Sequence, residues 1–177
     1  MHNKEDAFKI TLPKRKHLRL EDYDYSLAGG YFITVCTHDR GCLFGQVMNE
    51  QMELNGFGAI VREEWLRSEQ MRPNITLDAF MVMPNHFHAI IVIDYPYLGH
   101  RRPEDPRQSL ERIVAGFKAT CTRRINERRR NAPVWQRSFH DEIIRDEWHL
   151  GHVRKYIMNN PAQWQFDHEN PNRIPQK

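Results

Sequence analysis

The run Met83-Pro84-Asn85-His86-Phe87-His88-Ala89-Ile90-Ile91-Val92-Ile93 constrains the fold more than any other stretch of this chain. After Asn85 it is apolar and β-branched as far as Asp94, the pattern of a buried strand. Successive side chains on a strand point to opposite faces. His86 and His88 therefore share a face, at a spacing that lets two imidazoles hold one metal ion, while Phe87 points away into packing. Pro84-Asn85 supplies a tight turn just ahead of the pair. Histidine is not an ordinary core filler, so two of them on a buried strand ask for a reason. Taken alone, the pair also fits two half-exposed histidines that bind nothing.

The chain has 177 residues, with 40% hydrophobic and 11% aromatic content, enough for one globular domain with a real core. No apolar run is long enough to span a bilayer, and the polar start Met1 to Asp6 shows no secretory signal. Cys36, Cys42 and Cys121 form no CxxC pair and leave an odd thiol, which favours a reducing compartment, the cytoplasm. The net charge of +3 is modest but unevenly spread. One basic cluster holds Lys14, Arg15, Lys16 and Arg19; a second holds Arg123, Arg124 and Arg128 to Arg130. Clustered cations suit phosphate contacts, and the planar fork of arginine binds phosphate oxygens bidentately. A solvated helix face is the plainer alternative for either cluster.

Residues 1–28 read as a basic arm, 29–165 as the domain and 166–177 as a tail without strong pattern. Tyr31 to Thr37 reads as a strand, and Leu43 to Leu54 as two short strands turning at Asn49-Glu50. Asn55 is placed to cap a helix whose stripe is Phe57, Ile60, Val61 and Trp65. Ile75 to Met83 is the next strand, and the His86 strand follows. A loop at Pro96 to Pro106 precedes a helix over about 109–128, with Leu110, Ile113, Val114, Phe117, Cys121 and Ile125 as its apolar stripe. Its other faces carry Lys118, Arg123, Arg124 and Arg128. A short strand, Glu142 to Arg145, and a helix over about 147–160, ended by Pro161, complete the pattern. Such an order predicts an α+β fold: a single antiparallel β-sheet with packed helices, of the ferredoxin-like or RRM-like kind.

On the last helix Tyr156 and Asn160 lie four apart and so share a face. Leu150, Val153 and Ile157 form the packing stripe, with Tyr156 and Asn160 on its flank. His86-Phe87-His88 matches the HUH motif. Met83 to His88, taken with Tyr156-Ile157-Met158-Asn159-Asn160-Pro161, resembles the REP-associated tyrosine transposases, relatives of the single-tyrosine HUH transposases. Trp135 to Asp141, Ile143 to Glu147 and Gly30 to Val35 also resemble segments of that family, and the likeness covers about residues 14–165.

The resemblance implies an HUH endonuclease fold and a metal-dependent transposase acting on single-stranded DNA beside the hairpins of repeated extragenic palindromes. It implies Tyr156 as nucleophile, forming a 5′-phosphotyrosine link and freeing a 3′-hydroxyl. It implies His86, His88 and Asn160 as ligands of a divalent cation, expected to be Mg²⁺ or Mn²⁺. Lys14, Arg15, Lys16, Arg19, Lys118, Arg123, Arg124 and Arg128 are the expected DNA-backbone contacts. No membrane or small-molecule cofactor is expected, the protein is expected to be bacterial, and either a monomer or a homodimer fits. A zinc deaminase would need HxE with PCxxC, and a cupin-like oxygenase an all-β chain. The remaining alternative is a domesticated protein that binds hairpins and no longer cuts.

Overall fold

The computed structural model describes residues 23–94 and 109–174. Lys14, Arg15, Lys16 and Arg19, and the Pro96 to Pro106 loop, lie outside the described residues. Strand β1 (Gly29–Cys36) is followed by a hairpin of β2 (Gly45–Met48) and β3 (Gln51–Leu54). Its two turn residues, Asn49 and Glu50, have φ of 50° and 61°, the left-handed pair a tight two-residue hairpin turn requires. Helix α1 (Gly56–Gln70) starts where Asn55 Oδ1 accepts from the amides of Phe57 and Gly58. Gly58 must lack a side chain, because a Cβ there would strike the carbonyl oxygen of Phe44. Strands β4 (Ile75–Val82) and β5 (His86–Ile93), helix α2 (Leu110–Asn126), strand β6 (His140–Ile144) and helix α3 (Glu147–Asn159) complete the order.

Four strands form one sheet in the order β4-β5-β1-β6, with every neighbouring pair antiparallel. With the β2–β3 hairpin set aside, the chain runs βαββαβ through this sheet, which is the ferredoxin-like topology. Alternation along β1 and β5 separates two cores. Tyr31, Ile33, Val35, Phe87, Ala89, Ile91 and Ile93 face α1 and α2 and form the larger one. Phe87 anchors it, with its ring centroid 5.0 Å from that of Trp65 and 5.2 Å from that of Phe117. On the opposite face Ile90 packs with Val153 and Ile157 of α3, flanked by Phe32, Met81, Ile144 and Leu150.

Two segments differ from expectation. Tyr25, within the stretch read as a basic arm, is buried in the larger core, and its carbonyl accepts from the Leu110 amide. Residues 164–174, read mostly as tail, turn back through a 3-10 turn at Trp164–Phe166 and hydrogen-bond around Asn170.

Candidate metal and nucleophile site

The α3-facing side of the sheet carries His86 and His88, 0% and 3% exposed, with ring centroids 4.4 Å apart. Each ring is held from behind. Asn85 Oδ1 lies 2.9 Å from His86 Nδ1, and Thr34 Oγ1 lies 2.9 Å from His88 Nδ1. Asn85 can only accept through that oxygen, so His86 carries its proton on Nδ1 and turns the Nε2 lone pair outward. On His88 a hydroxyl faces each ring nitrogen, Thr34 Oγ1 at Nδ1 and the Tyr156 hydroxyl 3.4 Å from Nε2. Burial holds both imidazoles below the usual histidine range; Asp167 opposes this for His86, while His86 itself pushes His88 lower.

Tyr156 and Asn160 come from α3 as their four-residue spacing implies. The Tyr156 ring is half-exposed and meets the His88 ring at a centroid distance of 5.2 Å and the Phe32 ring at 5.9 Å. Its hydroxyl end faces the site, so burial comes first in pushing its pKa up to about 12, with Asp167 and Glu169 adding to it. Asn160 is buried; its Nδ2 donates to Asp167 Oδ2 at 2.8 Å, and its Oδ1 has no hydrogen-bond partner among the described residues.

Asp167 is the site residue that sequence reasoning missed. Its Oδ2 lies 4.0 Å from His86 Nε2, and His86, His88 and Asp167 offer three ligand atoms within 4.8 Å of one another. Glu169 belongs to the same segment. Its carbonyl accepts from Asn85 Nδ2 at 2.6 Å, and its carboxylate pairs with Arg40 at 3.3 Å. The acidic Asp167-His168-Glu169 triplet soon after the tyrosine helix was the signal in the sequence, but its approach depends on turns that carry no periodicity. Cys36 is also drawn in: burial first, then Glu169, pushes its thiol up to about 12, so it stays protonated and inert.

The basic residues of α2 fall differently. The larger core places α2 on the face of the sheet opposite the histidines. Lys118 Nζ donates to the carbonyls of Gln136, Arg137 and Ser138 at 2.7, 3.1 and 3.4 Å, so it secures the loop before β6. Arg124 pairs with Glu63 and Glu64 of α1 at 2.8 and 2.7 Å. Both cations thus have partners within the fold. Arg123 and Arg128 are exposed.

The donor set fits a divalent cation. His86 Nε2 and Asn160 Oδ1 are buried acceptors without hydrogen-bond partners among the described residues, and a carboxylate stands beside them. Buried acceptors left unpaired are costly, and an unpaired His86 Nε2 facing the Asp167 carboxylate at 4.0 Å is explained by a positive charge between them. Two imidazoles and one carboxylate make a mixed nitrogen–oxygen set of a kind that divalent metal ions accept. Next to it stands the half-exposed Tyr156, its hydroxyl 3.4 Å from His88 Nε2.

A family model described as "Transposase IS200 like" matches residues 31–160, a span that includes both histidines, Tyr156 and Asn160. An uncharacterized protein of Haemophilus influenzae is 37% identical over 171 residues, covering 90% of this chain and 95% of its own length. Among solved structures, that of a REP-associated tyrosine transposase bound to a REP hairpin superposes with a TM-score of 0.56. It shares 22% identity, over 82% of this chain and 73% of that one, and so speaks for the fold. Matched across most of its length by the family model, and carrying the expected strand and helix in the expected places, the chain belongs to the IS200-like transposase family.

Proposed function

We propose that this protein is a metal-dependent single-stranded DNA endonuclease and strand transferase that cuts beside DNA hairpins through a phosphotyrosine intermediate. The observation that supports this reading is the meeting of His86, His88 and Asp167 within 4.8 Å of one another, with Asn160 hydrogen-bonded to Asp167 and the Tyr156 hydroxyl 3.4 Å from His88 Nε2. Hairpin recognition rests on the sequence resemblance and on the ligand named for the solved neighbour. We assign the nuclease domain to residues 29–165, with Tyr25 added to its core from before and Asp167 to its site from beyond.

His86 and His88, with Asn160 and Asp167, would hold Mg²⁺ or Mn²⁺, which when bound polarises the scissile phosphate as a Lewis acid. The Tyr156 oxygen attacks phosphorus, forming the Tyr–O–P bond to the 5′ side and breaking the bond to the 3′ oxygen. The leaving oxygen takes up a proton and becomes a 3′-hydroxyl. The phenol proton passes to solvent water as the bond forms, and burial first, then the carboxylates of Asp167 and Glu169, hold it on. Neutralising Asp167 charge therefore favours the phenolate. Phe32 braces the tyrosine ring edge-on. Strand transfer reverses the step with a different 3′-hydroxyl.

The experiment is incubation of the protein with labelled hairpin-flanked single strands and Mg²⁺ or Mn²⁺, followed by denaturing electrophoresis. The expected product is a covalent adduct in the wild type and none in Tyr156→Phe. Hairpin binding with no adduct under either metal would leave a DNA-binding protein that does not cut. Because Tyr156 reaches the histidines of its own chain, a monomer suffices. Mixing Tyr156→Phe with His86→Ala should then restore no activity; recovery would mean that the tyrosine acts in a partner's site.

A further inference from the structure

The exposed side of α3 carries aromatic surface that neither core uses. Trp148 is 72% exposed, the most open of the large hydrophobic side chains described. Its ring lies on that of His152, with centroids 3.8 Å apart and planes tilted by 38°. His152 is itself fixed, because its Nδ1 donates to the Trp148 carbonyl at 2.8 Å. The turn beneath is fixed as well: Asp146 caps the helix by accepting from the His149 amide at 2.7 Å. An aromatic pair this exposed and this well braced does not serve packing, since the stripe of α3 that packs is Leu150, Val153 and Ile157.

Trp148, His152 and Tyr156 are spaced four residues apart, so they form one line along the helix. At 1.5 Å per residue the tryptophan lies about 12 Å from the tyrosine along the helix axis. Exposed Lys155 stands on the same side, and exposed Arg145 just precedes the helix. The line thus joins a flat aromatic surface, cations suited to phosphates and the nucleophile of the proposed reaction.

We infer that Trp148, supported by His152, is a stacking platform for an unpaired base of the DNA strand flanking the phosphate that Tyr156 attacks. The inference rests on the single-strand reading of the site. The occupant is an unpaired base because a stacked ring needs an exposed π-face, which a paired base within a duplex hides. Stacking on an aromatic is tolerant of sequence, so the platform sets where the strand lies and leaves the choice of sequence to other contacts.

The test is fluorescence anisotropy with two labelled DNAs, a hairpin with a single-stranded flank and the same hairpin without it, together with an abasic scan along the flank. Trp148→Ala should weaken binding of the flanked DNA about ten-fold, within the range of one lost base stack, and leave the unflanked hairpin unchanged. Trp148→Phe should keep most of the affinity. One abasic position should weaken the wild type by a similar factor and have no further effect on Trp148→Ala. Equal affinity of wild type and Trp148→Ala for the flanked DNA would overturn the platform. So would an equal loss on both DNAs, or a lowered melting temperature without a flank-dependent loss, which would make Trp148 a structural residue. Adduct formation by the wild type is scored separately. Flank binding that depends on Trp148 without any adduct would sink the nuclease reading and keep the platform; an adduct with affinity indifferent to Trp148 would do the reverse.

Discussion

At the scale of single residues, the site is a set of buried polar atoms whose partners are fixed on one side and missing on the other. Mn²⁺ should therefore raise the melting temperature of the wild type, and His86→Ala should lose most of that rise. A shift that survives in His86→Ala would place the ion elsewhere. The two imidazoles also set a pH dependence for the metal-free protein. Burial holds both below the ordinary value of 6.5, so the unfolded chain takes up protons that the folded chain refuses. The stability they contribute is full above about 6.5 and is lost as pH falls towards their folded values. Thermal unfolding between pH 7.5 and 5 should show this decline, and His88→Gln should make it shallower. An unchanged slope in that variant would mean that His88 is not held neutral. The histidine pair was legible in the sequence because strand periodicity fixes which side chains share a face; helix periodicity put Tyr156 and Asn160 together, but only the resemblance to the tyrosine transposases gave Tyr156 a role. Asp167 was not legible: it reaches His86 through a 3-10 turn and irregular chain, where no repeat relates spacing to direction.

At the scale of elements, α2 shows that the arginines of one cluster can have different surroundings. Helical periodicity marks which residues leave the core but not which partners the next helix brings, and α1 brings Glu63 and Glu64 to Arg124. Glu64 is 4% exposed, so Arg124→Ala leaves a buried carboxylate unpaired. The expected cost is about 2 kcal/mol, or roughly 4–8 °C in melting temperature for a domain of this size. The same change should barely alter the salt dependence of DNA binding, whereas a strongly flattened slope would return Arg124 to the DNA. Helix α3 is tied to the sheet differently. Its Arg154 grips Asp78 with two hydrogen bonds of 2.9 and 2.6 Å, where β4 changes register between Leu77 and Phe80. The irregularity in β4 was invisible in a run that reads as continuous strand. Beside it the Asp78 carboxylate meets the helix that carries Tyr156.

At the scale of the whole molecule, the larger core lies between the sheet and α1 and α2, and the chemistry lies on the far side under α3 and residues 164–170. Among the described residues, none past Ile157 belongs to either core. Removing residues 164–177 should therefore leave a folded protein with native-like circular dichroism. Its Mn²⁺ affinity should drop at least about ten-fold with the loss of a carboxylate ligand and of the Glu169 contact to Asn85. Retention of wild-type affinity would exclude Asp167 from the metal site. The arrangement of β5 has a consequence for how such a protein can change over generations. Its alternate residues serve two masters, Phe87 in the core and His86 and His88 in the site. Point substitutions at Ala89 or Ile91 can be absorbed one face at a time. A single codon gained or lost within this strand cannot, because it exchanges the two faces beyond it and sets an imidazole against Trp65 and Phe117 in the place of Phe87. Lineages of this protein should therefore vary in length at the β2–β3 hairpin and keep β5 free of insertions and deletions.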